Sequence, residues 1–149
     1  MDAREAAQWA AAADGGDPEE LMRAADLVGC AGLRERASQV ELRTTAIRAM
    51  SYCRDDSELP WLAELAAGKN DSEARAALDA IVDLAARIRR ATDPEDAEEL
   101  HAGCGALLTL ARSTSTPRVR RVLAVRALRM LAERGCVRRA DIPTDVDVK

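Results

Sequence analysis

Apolar and polar positions along this chain follow a helical period, and no run of β-branched or aromatic residues alternates with period two. Segment 117–134 shows the pattern. On a helical wheel, Arg118, Arg121, Arg126 and Arg129 gather on one side, and Val119, Leu123, Ala127, Met130 and Leu131 fall on the other. The pattern predicts helices near 3–13, 18–28, 39–53, 58–67, 72–90, 94–112 and 117–134, with a further turn of helix around 31–37. Asp17-Pro18, Asp93-Pro94 and Thr116-Pro117 each place a capping side chain before a proline suited to the first helical position. Thr92 and Glu95 have capping-box spacing, Pro60 sits in a first turn, and Gly29, Gly68 and Gly135 fall where helices should stop. The tail 142–149 has no helical period and is expected to be mobile or to lie as an extended strap on the last helix.

Three of the predicted helices carry the same spacing of small residues. Arg43, Ala46, Ala49 and Met50 are matched by Arg121, Ala124, Ala127 and Leu128, and a looser copy runs through Ala74, Ala77, Ala80 and Ile81. Alanines three apart make a ridge that lets a neighbouring helix approach, and the large aliphatic residue after the second alanine locks against it. The spacing is uneven: Ala46 and Ala77 are 31 residues apart, Ala77 and Ala124 are 47 apart.

Residues 57–81, with a short first helix, a turn containing Asp71 and a second helix opened by Arg75, resemble one bacterial HEAT repeat. The resemblance extends over about three divergent copies, at 18–53, 57–91 and 94–134, within a single domain of residues 1–141. It implies an all-α fold, a HEAT-like α-solenoid or right-handed superhelix of antiparallel helix pairs. It also implies that Asp71 and Arg75 serve a structural ladder between repeats. The lengthened last copy leaves a compact helical bundle of repeat ancestry as the other architecture.

Composition sharpens the picture of the core. The chain has 149 residues, 48% hydrophobic, with no Phe and only Trp9, Trp61 and Tyr52 as aromatics, so the core is built from Leu, Ala, Val, Ile and Met. Trp61, beside Leu62 and Leu65, is expected in the core, and Trp9 as a cap over the end of the stack or a surface contact. No segment reaches the roughly 20 apolar residues of a membrane-spanning helix, and the start lacks the order of a secretory signal. A soluble, cytoplasmic protein without membrane insertion is expected, or a periplasmic or secreted one if a leader has been removed. Cys30, Cys53, Cys104 and Cys136 contain no CxxC pair and read as reduced, mostly buried apolar residues; the competing arrangement is disulfides in an oxidising compartment, Cys30 with Cys53 and Cys104 with Cys136.

A search for chemistry yields little. Glu98 and His101 have the spacing of half a di-iron carboxylate site, but His101 is the sole histidine, and the acidic run 93–99 is more simply a first turn favoured by the helix dipole. Asp55, Asp56, Ser57 and Glu58 lack the spacing of a calcium loop and read as a helix cap. His101 and Cys104, a turn apart, are the one Cys/His pair of note, with no third group or oxyanion donor. Gly103 and Gly105, inside a predicted helix, suggest a kink or a close helix contact. No catalytic residue, cofactor or metal is assigned.

Charge placement is the remaining signal. Between Arg112 and Arg139 stand nine arginines and one acid, Glu133, so this stretch is near +8 and the rest of the chain near −12, within a total of −4. These arginines either pair within the molecule or present a basic face. The sequence points to a non-catalytic scaffold or adaptor for a macromolecular partner, foremost a protein, an acidic one among the candidates, with Arg118, Arg121, Arg126 and Arg129 as candidate contacts. The alternatives are a nucleic-acid-binding module using the same helix and an enzyme or enzyme subunit of the HEAT-like lyase or DNA-repair type. Oligomeric state is not legible.

Overall fold

Three helices begin where a side chain accepts a free backbone N–H: Asp2 from Glu5 at 2.8 Å, Asp17 from Glu19 at 3.0 Å, and Asn70, which the pattern did not single out, from Glu73 at 3.0 Å. The computed structural model describes residues 1–14, 16–53, 57–89 and 98–146. Among them run α1 (Ala3–Ala13), α2 (Pro18–Arg36), α3 (Val40–Ala49), α4 (Leu59–Ala66), α5 (Asp71–Arg89), α6 (Glu98–Arg112) and α7 (Arg118–Leu131). Short 3₁₀ turns extend α3 over Met50–Tyr52 and α7 over Ala132–Arg134, and another forms at Arg139–Asp141. The protein is all-helical over these residues, and no helix among them is long and apolar enough to cross a membrane. The proposed caps at Thr92, Asp93 and Glu95, and Asp55 and Asp56 of the proposed cap at 55–58, lie outside the described residues.

Two boundaries differ from the sequence expectation. Residues 18–28 and 31–37 form one helix, α2, broken by a kink at Gly29, whose φ of 74° and ψ of 170° interrupt the helical path before it resumes. At Thr116-Pro117 the proline itself takes the cap position, and the Thr116 N–H turns back to the Ser113 carbonyl at 3.2 Å, so Thr116 does not cap α7. Gly135, at φ 81°, closes the 3₁₀ turn after α7 as expected.

Helices α2, α4 and α6 back α3, α5 and α7 respectively; α5 lies between α3 and α7, α4 touches α6, and α1 covers α2 and α3. The matched residues of the three copies occupy the contacts between these elements. Ala46, Ala49, Ala77, Ala80, Ala124 and Ala127 are all 0% exposed, as are Met50, Ile81 and Leu128. Alanine at these positions keeps the facing helices close, and the aliphatic residue after each ridge fills the space beyond it. Gly103 serves the same purpose between α6 and α4, since a Cβ there would come within 2.5 Å of Leu59 Cγ.

The cysteines correct the reduced reading. Cys30 is bonded to Cys53 and Cys104 to Cys136, with Cα–Cα distances of 5.7 and 6.2 Å. Each bridge ties the backing helix of a pair to the end of its partner helix, α2 to α3 and α6 to α7. The pairing is that of the competing arrangement, between residues 23 and 32 positions apart.

The tryptophans follow the expectation only in part. Trp9 is 3% exposed, and its indole N–H donates to Glu5 at 3.2 Å, which excludes a surface contact and leaves it as a buried anchor for α1. Trp61 is only half-buried, with the Arg34 guanidinium 5.9 Å from its ring centroid. In the tail, of which residues to Val146 are described, Ile142 and Val146 join the core, the latter 2% exposed.

Candidate interaction surface

The inward side of α7 is fixed by Ala124, Ala127, Leu128 and Leu131, all fully buried, and what they leave outward is mixed. Arg118 and Arg129 are exposed and Arg126 is half-buried. Val119, assigned by the helical wheel to the apolar side, is 53% exposed among them, and Val122 and Met130 are partly exposed. The apolar arc of the sequence is therefore wider than the arc that packs, and an aliphatic strip opens between the arginines. No hydrogen bond or ion pair of Arg129 is found among the described residues.

Arg121 behaves differently from its three companions. Its Nε donates to the Ala111 carbonyl at the end of α6, 2.8 Å away, and its Nη2 lies 2.9 and 2.8 Å from the two carboxylate oxygens of Asp145. Its side chain is 12% exposed. The Arg121 hydrogen bond holds the Asp145 carboxyl below its ordinary range against some desolvation, and the charges of Arg121 and Arg118 act in the same direction. Arg112 adds a hydrogen bond to the Asp141 carbonyl at 2.9 Å, so the tail is tied to both helices of the last pair.

The neighbouring Arg120 was not singled out by the sequence, yet it joins two helix pairs. One nitrogen donates to the Ala66 and Gly68 carbonyls at 3.2 and 2.7 Å, closing the end of α4, and the other donates to Asp71 at the start of α5. Asp71 thus links adjacent pairs through Arg120, whereas Arg75 pairs with Asp79 of its own helix at 3.4 Å. Between α3 and α5 the bridge is Arg43, which donates to the Ala37 carbonyl at 2.8 Å and to Glu73 at 3.2 Å.

Beside these bridges an open groove of about 590 Å³ runs between the start of α2, the end of α3 and the outer face of α5. Arg48, Tyr52, Arg75, Asp79 and Asp83 line it, so it is polar and carries both signs of charge. No sequence motif marked it, because its walls come from three helices.

Glu98 and His101 are both exposed on α6. Cys104 is buried and its sulfur is bonded to Cys136, so the His101/Cys104 pair offers no thiolate in this state. Among the described residues no three or more His, Cys, Asp or Glu side chains are grouped as metal ligands would be. At the opposite end of the molecule, Glu5 accepts from Arg36 Nε at 2.7 Å and from Trp9. The Arg36 hydrogen bond is the main cause of a lowered Glu5 carboxyl pKa. In comparisons with known proteins the chain matches no family model, no curated protein and no solved structure.

Proposed function

We propose that this protein is a non-catalytic, HEAT-like helical scaffold that binds a protein partner through the outer face of α7. The observation that carries the reading is the composition of that face: Arg118, Arg126 and Arg129 surround exposed Val119 and partly exposed Val122 and Met130. Arginine and methionine are enriched at protein interfaces, where arginine's planar fork pairs with carboxylates while aliphatic groups between the charges exclude water. A surface built only to follow phosphates would need no such strip. The packed ridges of Ala46, Ala77 and Ala124 support a repeat stack, which uses the inward face of each helix and leaves the other for recognition.

The disulfides support the periplasmic or secreted alternative over the cytoplasmic one, since such bridges persist in oxidising compartments. The test is affinity capture from the source lysate at moderate salt, comparing the wild-type chain with an Arg118→Glu/Arg129→Glu variant of unchanged helicity. A protein retained by the wild type and lost by the variant is the expected result. Equal retention removes this face from consideration, and nucleic acid held only at low salt would favour a phosphate-binding module instead.

A further inference from the structure

Arg43 and Arg121 occupy the same position in the first and last sequence copies, and the structure gives them the same two tasks. Each donates through Nε to a carbonyl at the end of the preceding helix, Ala37 and Ala111, both at 2.8 Å. Each then offers a terminal nitrogen to a carboxylate. For Arg43 that carboxylate is Glu73, in the first turn of the next stacked helix. For Arg121, on the last helix, it is Asp145, on a segment with no helix of its own.

The Arg121 socket therefore does not depend on the tail for its shape. The Ala111 carbonyl and the buried body of α7 orient the guanidinium, and the tail supplies only the acid. Among the described residues the tail is held by Ile142 and Val146 in the core, Asp145 on Arg121, and Asp141 on Arg112 and Arg138. Its recognition pattern is a non-helical segment with one aspartate at the guanidinium and apolar residues one position after it and three before.

We propose that residues 142–146 occupy in cis a docking site on the last helix pair that also accepts an extended acidic segment of the protein partner, placing an aspartate on Arg121 and apolar side chains where Ile142 and Val146 lie. This deepens the proposed function and rests on it. A tethered segment competes at high effective concentration, so the partner gains access by displacing the strap.

The probe is a labelled peptide of residues 141–146, titrated into the full chain and into a chain ending at Asp141, with helicity checked by circular dichroism. The shortened chain should bind the peptide saturably. The Asp145→Lys peptide should bind about tenfold or more weakly, the scale of a lost charge-assisted hydrogen bond, and so should the full chain toward the unaltered peptide. Should the shortened chain fail to fold, full-length Asp145→Asn, which keeps both apolar anchors, should bind the peptide more tightly than wild type. A folded shortened chain that ignores the peptide, or takes the Asp145→Lys peptide equally well, overturns the proposal; so does equal binding by wild type and Asp145→Asn. The titration needs no outside partner. Peptide binding with no effect of the Arg118→Glu/Arg129→Glu variant on capture would therefore sink the proposed face and not the socket, and the reverse pattern would sink the socket alone.

Discussion

Gly103 and Gly105 stand two positions apart on α6 and make opposite predictions. A methyl at Gly103 would meet Leu59, a fully buried side chain, whereas nothing lies within 4 Å of one at Gly105. Gly103→Ala should destabilise the fold by about 1–3 kcal/mol through overpacking, less whatever helix propensity returns. Gly105→Ala should stabilise it by about 0.5–1 kcal/mol. Urea unfolding of the two variants checks this, and equal shifts would mean that α4 and α6 do not meet at Gly103. Titration adds a second prediction at this scale. Glu5 and Asp145 have lowered carboxyl pKa values in the folded chain, caused first by hydrogen bonds from Arg36 and Arg121. Their contribution to stability is therefore complete above the ordinary carboxylate pKa of about 4 and disappears as pH falls through the lower folded values. Unfolding midpoints followed down through pH 4 should fall less steeply for a Glu5→Gln/Asp145→Asn variant than for wild type; parallel curves would contradict it.

Helices were the most legible elements, because caps, prolines and small-residue spacing are local signals. The ridges at Ala46, Ala77 and Ala124 could be read before any coordinates, and all three are fully buried. What escaped the sequence were features assembled from distant segments. The Arg120 clamp between α4 and α5 and the Arg121–Asp145 contact each join residues that only packing brings together, and the Cys30–Cys53 and Cys104–Cys136 bonds were legible only as the competing arrangement to reduced thiols. Trp9 was legible in part for a related reason: its burial depends on α1 closing over α2 and α3, which its own helix does not encode, while Trp61 packs against the core and stays half-buried. The disulfides carry the prediction at this scale. The native chain should show no free thiol on denaturation without reductant, and Cys30→Ser/Cys53→Ser should cost on the order of 3 kcal/mol, the loop-closure value for a bridge of this span. Four free thiols in freshly purified native protein would restore the reduced reading.

At the scale of the whole molecule, charge and packing divide the work. The repeated inward faces consume the alanine and aliphatic residues, and the acid-rich remainder of the chain leaves the arginine-rich end as its distinct pole. On this account α7 has two neighbouring sites, an outer face of arginines and aliphatics, and the Arg121 socket under the tail. The most direct measurement is site-specific photo-crosslinking from Val119, 53% exposed on the proposed face, with Met22 on α2, 45% exposed, as the control position. A single protein crosslinked from position 119 and not from position 22 is the predicted result. Equal labelling from both, or a partner crosslinked only from position 22, would contradict the assignment of the outer face of α7 as the surface through which this protein works.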